Sequence, residues 1–189
     1  MFDAANCDVS IGARGANGTV RIVDGNGTAR IVLDAADGTI TTDGDIVLTN
    51  ADCAEDFDIA SPGVEAGTVM VIDSEGALRP SLKEYDKRVA GVLSGAGGFK
   101  PGITLDKREP RTGRSGGERL PIALLGKVYC KVDADHSPIE VGDLLTTSLT
   151  PGHAMRADDP IRAFGSVLGK ALRPWKEGKG MIPILVALQ

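Results

Sequence analysis

The sequence predicts an all-β protein in which a short, Gly-rich β-repeat shaft precedes a compact β-barrel-like or sandwich head with little helix. Apolar and polar residues alternate along several short segments, as in strands with one buried face. The chain holds 25 Gly and 10 Pro among 189 residues without a regular period, so turns are frequent and long helices are disfavoured. Apolar residues make up 42% of the chain, which is enough for a core.

Three related segments follow one another near the N-terminus. They are Gly18–Asp24, Gly27–Asp34 and Gly38–Asp43, and the last of them continues into Gly44–Leu48. Each segment alternates apolar and polar residues, which predicts a strand with one apolar face. Asp-Gly and Asn-Gly pairs between the segments supply the positive φ that tight hairpin turns require.

The apolar side chains of this repeat predict an interface between chains. Strands this short cannot enclose a core, and repeat units of this kind bury their apolar stripe against neighbours. Three chains packed about an axis would bury Ile22, Ile31 and Ile46 and leave the acidic residues in water. We therefore interpret residues 1–55 as a β-repeat shaft that joins a homotrimer. The alternative is an ordinary meander at the edge of a single domain.

Residues 56–189 predict a compact β domain. One helical turn is expected at Ser81–Glu84, whose S-x-x-E pattern allows a capping box. Regularly spaced strands with Gly-rich turns indicate a barrel or a sandwich. The predicted strands are Thr68–Ile72, Arg88–Leu93, Leu120–Val132, Leu144–Thr147, Phe164–Leu172 and Met181–Leu188.

Charge is unevenly distributed along the chain. Residues 1–66 hold twelve acidic and three basic residues, a net charge of −9, whereas residues 67–189 hold 14 acidic and 18 basic residues, a net charge of +4. This asymmetry suggests two units with different roles. No part is basic enough to predict a nucleic-acid partner.

Targeting and cysteine patterns are consistent with synthesis in the cytoplasm. Met1–Ala5 lacks a basic region, so no signal peptide is expected, and the longest apolar stretch, Met181–Leu188, is too short to cross a membrane. Cys7, Cys53 and Cys130 form an odd set without a CxxC pair, which indicates neither a zinc site nor a disulfide framework.

A long basic loop is predicted between Lys100 and Arg119, where Gly and Pro disfavour regular structure. It is expected to contact carboxylates of a neighbouring subunit, including the acidic segment Asp52–Asp58, or an anionic surface glycan. A solvated loop is the alternative. The candidate binding residues are Arg108, Arg111, Arg114 and Arg119.

Few residues are candidates for chemistry. Ser148 and His153 flank a predicted turn and are candidates for a catalytic serine–base pair, but no nucleophile elbow accompanies them. Asp133, Asp135 and His136 are weak candidates for metal ligands, because Asp-rich turns are common without a metal. We therefore expect no metal and no cofactor.

Several segments together resemble a known family. They are Asp52–Phe57, Gly67–Asp73, Tyr85–Asp86, Val89–Gly95 and Val141–Leu145. In this order they are similar to the C-terminal region of phage tail-fibre and appendage proteins, in particular their intramolecular-chaperone autoprocessing domains, and to related uncharacterised bacterial proteins. In those domains an AE-x-F-like segment leads into a small β domain with a VxGVxS strand and a later GD turn.

The resemblance and the repeat lead to one functional expectation with two alternatives. We expect a structural or adhesive fibre-type protein, a homotrimer associated with a phage-like particle or contractile injection apparatus and in some cases released from the cell. A self-cleaving intramolecular-chaperone domain, an autoproteolytic enzyme, is the first alternative. A glycan-binding or glycan-active module is the second, with aromatic platforms only near Tyr85 or Trp175. Expected partners are other copies, a cell-surface glycan and other fibre or baseplate proteins.

Overall fold

The computed structural model of the chain describes residues 2–3, 8–9, 16–108 and 118–187. Strands account for 48% of the structure and helix for 2%, which confirms the all-β prediction. The chain divides into two compact units, Met1–Val47 and Leu48–Gln189. The division therefore precedes the predicted boundary between residues 55 and 56, which falls within a strand of the second unit.

The first unit contains two small antiparallel sheets. One sheet pairs β1 with β2, and the other is a meander in the order β3-β4-β5. The Asp24 side chain accepts hydrogen bonds from the backbone N–H groups of Asn26 and Thr28 in the first turn of the meander. The strands are β1 (Phe2–Asp3), β2 (Asp8–Val9), β3 (Thr19–Val23), β4 (Ala29–Asp34) and β5 (Thr39–Thr42).

The repeat ends earlier than the sequence predicts. Residues 45–48 form no strand, so Ile46 lies outside the meander, with 68% of its side chain exposed. The turn at Asp43-Gly44-Asp45 does not lead into a further strand. Among the described strands, β5 pairs only with β4, so the free edge of β5 has no strand beside it.

The second unit is a ten-stranded sheet, of which five strands form a closed barrel. Its one helix within the described residues is a single turn. The elements are β6 (Asp52–Asp58), β7 (Val69–Ile72), β8 (Leu78–Pro80), β9 (Val89–Leu93), β10 (Pro101–Leu105), β11 (Arg119–Asp133), β12 (Leu144–Thr147), β13 (Ala154–Arg156), α1 (Pro160–Ala163), β14 (Val167–Ala171) and β15 (Lys179–Ala187).

Five strands close into a barrel in the order β11-β13-β12-β14-β15, and β15 pairs again with β11. This closed barrel confirms the predicted head architecture. On β11, alternate residues Val128, Cys130 and Val132 have no exposed surface and join one apolar core. Burial raises the pKa of the Cys130 thiol, as expected for a packed, unreactive side chain.

The first half of β11 extends beyond the barrel and pairs with a second set of strands. It pairs with β6 and β9, while β10 adds to β6 in parallel, and β7 and β8 extend from β9. A separate apolar cluster fills this part of the unit: Ile59, Met70, Leu78, Ala90, Leu93 and Ile122. The predicted loop Lys100–Arg119 accordingly has strands at both of its ends.

The single helical turn occurs away from its predicted position. Ser81–Glu84 forms no helix, and the buried Ser81 hydroxyl has no hydrogen-bond partner among the described residues. The turn lies instead at Pro160–Ala163, where the Asp159 side chain caps two N–H groups and proline occupies the first turn. No helix in the described part of the chain has the length and apolar character to cross a membrane.

Candidate functional site

The meander of the first unit carries one continuous apolar face. The antiparallel register places Val20, Leu33 and Ile40 side by side, and Ile22 opposite Ile31 in the neighbouring row. We call these five residues the apolar face. Ile40 is 72% exposed and Ile22 54% exposed, so the described residues of the first unit leave much of this face uncovered.

The opposite side of the meander is polar. Arg21 and Thr41 lie there on either side of Val32, and their side chains are exposed. Arg30 on the same side makes ion pairs with Asp24 and Asp43. The sheet therefore has one face with charged and polar side chains and one face that exposes apolar area within the described residues.

The start of β6 is held closely in the second unit. The Ala51 N–H donates to the Lys100 carbonyl at 3.0 Å, and the Ala51 carbonyl accepts from the Lys127 N–H at 3.1 Å. A Cβ on Gly126, whose φ is +103°, would lie 2.6 Å from that Ala51 oxygen. Glycine is therefore required for this close approach.

Asp52 follows directly on these contacts, and we call Ala51, Lys100, Gly126 and Lys127 together the Asp52 clamp. Asp52 is 4% exposed, and neither of its carboxylate oxygens accepts a hydrogen bond from the part of the chain that the structure describes. Burial raises the pKa of the Asp52 carboxyl. The polar hydroxyl of nearby Ser94 offsets this rise only in part, because it does not lie in hydrogen-bond geometry to either carboxylate oxygen. A carboxyl group in this condition retains its proton to higher pH than an ordinary aspartate.

Asp52 is absent from the predicted site residues, although the sequence contains a signal for it. The stretch Asp52–Phe57 alternates, with Asp52, Ala54 and Asp56 buried and the residues between them less so. Asp52 lies two residues before Ala54, so both side chains point to the buried face of the strand. An aspartate on a buried face indicates a special site, because carboxylates are rarely buried without a partner.

Ser148 and His153 do not form a side-chain pair. The Ser148 hydroxyl lies 3.4 Å from an Asp133 carboxylate oxygen and accepts from the Thr150 N–H at 3.0 Å. The His153 Nδ1 lies 2.7 Å from the Pro151 carbonyl. Only a backbone hydrogen bond, from the Ser148 N–H to the His153 carbonyl, joins the two residues. Ser148 is fully buried and acts here in turn formation.

The three candidate metal ligands Asp133, Asp135 and His136 have different surroundings. One Asp133 oxygen accepts from the Asp135 N–H at 2.9 Å, and the other accepts from the Thr150 hydroxyl. Asp135 and His136 are exposed. Within residues 2–3, 8–9, 16–108 and 118–187, no group of three His, Cys, Asp or Glu side chains has an arrangement that could hold a metal ion.

The candidate arginines differ in their surroundings. The Arg119 side chain is 9% exposed, pairs with Asp58 at 3.0 Å and Asp106 at 2.8 Å, and donates to the Asp56 carbonyl. Arg108 is exposed and pairs with Asp106, and this hydrogen bond holds the pKa of the Asp106 carboxyl below its usual value.

The acidic segment Asp52–Asp58 is therefore contacted from within its own chain, because β6 pairs with β11. The other two predicted binding residues, Arg111 and Arg114, lie outside the described residues.

The architecture defines a small closed β-barrel with additional strands packed beside it. A crystal structure of the pre-mature form of bacteriophage phi29 gene product 12 has a similar fold, with a TM-score of 0.57 and 18% sequence identity. The match covers 84% of this chain and 24% of that chain, so the similar region spans about a quarter of the phage protein. The predicted resemblance to phage proteins is thus confirmed at the level of fold.

No protein-family model matches the chain, and no curated protein matches it in sequence.

The Asp133 cluster predicts a defined pH dependence of stability. Burial by itself would raise the pKa of Asp133, but hydrogen bonds from Thr150, from the Asp135 N–H and from Ser148 outweigh it and hold the pKa below its ordinary value. The stabilisation is present above the unfolded pKa of about 3.9 and is lost as pH falls through the lower folded pKa.

We expect Asp133→Asn to reduce the free energy of unfolding by about 1–3 kcal/mol near neutral pH, because hydrogen bonds to a buried charge are lost. Urea denaturation at neutral pH and at about pH 3 measures this. The loss should be smaller at low pH, and the exposed Asp135→Asn variant should match the wild type at both. Equal losses for the two variants would contradict this role.

Arg119 and Arg108 form a matched pair for a second test. Arg119→Gln should lower the free energy of unfolding by about 3 kcal/mol, because it leaves Asp58 and Asp106 without their buried partner. Arg108→Gln removes an exposed ion pair and should cost at most about 1 kcal/mol. Chemical denaturation of both variants gives the comparison, and similar losses would show that the burial of Arg119 has no energetic consequence.

Proposed function

We propose that the chain is a structural, fibre-type protein of a phage-like particle and that it works as a homotrimer. The observation that carries this proposal is the apolar face of the meander. A sheet that is polar on one side and exposes isoleucine and leucine on the other needs a covering surface. The likeness in fold to a bacteriophage protein supports the phage-like setting.

Other copies of the same chain are the proposed cover. Each copy brings an identical apolar face, and three such faces meeting at a three-fold axis bury one another. The polar faces, with Arg21 and the Arg30 ion pairs, then point to solvent. The second unit, by contrast, forms two apolar cores within a single chain.

Adhesion is the second element of the proposal. A trimeric fibre presents three heads, so weak contacts with a cell-surface glycan add up through multivalency. Other fibre or baseplate proteins are the proposed attachment partners of the assembled chain.

The trimer predicts different effects for substitutions on the two faces of the meander. Ile31→Asp should prevent assembly or weaken it by several kcal/mol, because it places an unpaired charge in the interface. Thr41→Asp introduces the same charge on the polar face of the same sheet and should leave the trimer intact. Light scattering coupled to gel filtration measures the mass of each form. A monomeric wild type, or an Ile31→Asp variant that still forms trimers, would overturn the proposal.

A second candidate function is autoprocessing, and Asp52 is the observation that favours it. Its carboxyl, whose pKa is raised by burial, lies beside the tightly held peptide groups of Asn50 and Ala51. A proton-bearing group within reach of an immobilised peptide is a suitable general acid. In this reaction water attacks the carbonyl carbon of a peptide bond between Asn50 and Asp52, and the Asp52 carboxyl donates a proton to the departing amine, so that a new carboxylate and a new amine form. This cleavage would release the first unit from the second, and the structural neighbour is itself described as pre-mature.

Intact mass after expression and storage tests this second function. If the chain cleaves itself, two fragments that divide between Asn50 and Asp52 accumulate, and Asp52→Asn slows their appearance by at least about 100-fold. Glu75→Gln, which changes an exposed carboxylate on a turn, is the matched control and should cleave like the wild type. An uncleaved wild-type chain, or cleavage that persists in Asp52→Asn, would remove this candidate.

A further inference from the structure

A small polar cleft lies on the second unit, away from the Asp52 clamp. It has a volume of about 170 Å³ and is bordered by the segment before β9, the turn after β11 and the residues that lead from β13 into α1. Its polar lining consists mainly of two carboxylates, two guanidinium groups, a serine and a tyrosine. These are Glu84, Tyr85, Ser137, Arg156, Asp158 and Arg162.

Tyr85 is fixed at this cleft in an unusual conformation. Its φ is +50°, a left-handed value that is uncommon for a residue with a Cβ. Its hydroxyl accepts hydrogen bonds from two successive N–H groups, those of Asp158 and Asp159, at 3.1 Å each. Strained residues that the surrounding structure holds in place are concentrated at ligand sites, which makes this cleft a candidate.

The charged groups of the cleft are matched to each other. The Arg162 guanidinium stacks 4.3 Å from the centre of the Tyr85 ring and donates to Glu84 at 2.8 Å. Arg156 pairs with Asp158, which also accepts from the Ser137 hydroxyl. Each guanidinium is therefore paired with a carboxylate, so the two ion pairs leave no net charge, and the imidazole of His136 adds a further polar group to the lining.

These groups are nevertheless accessible to a ligand. The side chains of Arg162 and Asp158 are 45% and 46% exposed, and that of Arg156 is 34% exposed. A hydroxyl can donate to an ionised carboxylate and accept from a guanidinium group. Such hydrogen bonds with an ionised partner are stronger than those between neutral groups. A ligand with neighbouring hydroxyls and no charge fits this chemistry.

We propose that this cleft binds one neutral sugar residue of a surface glycan, with Glu84 and Asp158 accepting from its hydroxyls and Arg156 donating to them. The volume is below the roughly 300–1,000 Å³ of pockets for larger ligands, which favours a single residue. The biological use of the site rests on the proposed adhesive function, because a single weak site becomes effective only when a trimer presents three copies.

Titration of the full chain with neutral monosaccharides, followed by backbone NMR, tests the proposal. Glucose, galactose, mannose and N-acetylglucosamine are the probes, and inorganic phosphate is the charged comparison. At least one sugar should shift the amide signals of Tyr85, Ser137 and Asp158, and phosphate should not. Asp158→Asn and Glu84→Gln should each weaken sugar binding by about tenfold.

Lys170→Gln, on an exposed position of β14, is the matched control and should bind like the wild type. Thermal melting of each variant identifies a loss of fold, and because Glu84 and Asp158 lie on different segments, either one suffices for the test. The absence of a shift with every sugar, a response to phosphate alone, or undiminished binding in both folded variants would overturn the proposal. Failure of the trimer would appear separately, as a change in mass with sugar binding to the cleft retained.

Discussion

Strand β11 is the element on which the second unit depends. Its fifteen residues contribute to both apolar cores, since Ile122 lies in one and Val128 in the other. The strand passes between the two at an irregularity near Leu125, next to Gly126. One continuous strand thus positions the closed barrel and the additional strands together. The Asp52 clamp and the Arg119 ion pairs both form where β6 lies against the first half of this strand.

The two units meet the same physical requirement in different ways. In the second unit, apolar faces meet within one chain, and Val69, Leu145 and Ile184 have no exposed surface. In the first unit, the same alternation produces a sheet of three strands that leaves Ile22 and Ile40 more than half exposed. A single layer of sheet cannot cover its own apolar face. The second unit buries its apolar clusters between facing strands of one chain, whereas the single sheet of the first unit leaves its apolar face exposed. The proposed assembly rests on this difference.

Local patterns in the sequence predict four of these strands: alternation indicates β3 and β4, and short runs between turn signals indicate β7 and β12. Both patterns depend only on neighbouring residues. They fail where long-range partners decide the outcome. Ile46 alternates like its predecessors but has no strand to pair with, and Ser81 has a capping pattern but lies buried beneath a turn. From the sequence alone, Asp52 belongs to an acidic segment and Arg119 to a basic loop. Only the register of β6 against β11 shows that Arg119 pairs with that segment in its own chain.

The position of β6 has a mechanical consequence. Any tension carried along the chain from the first unit enters the second unit at the start of β6, through Asn50 and Ala51. This strand is bonded along its length to β11 on one side and over four residue pairs to β10 on the other. A pull along the strand loads these hydrogen bonds together, in shear, instead of opening them one after another. The second unit therefore resists a pull along β6 more strongly than a pull across that strand.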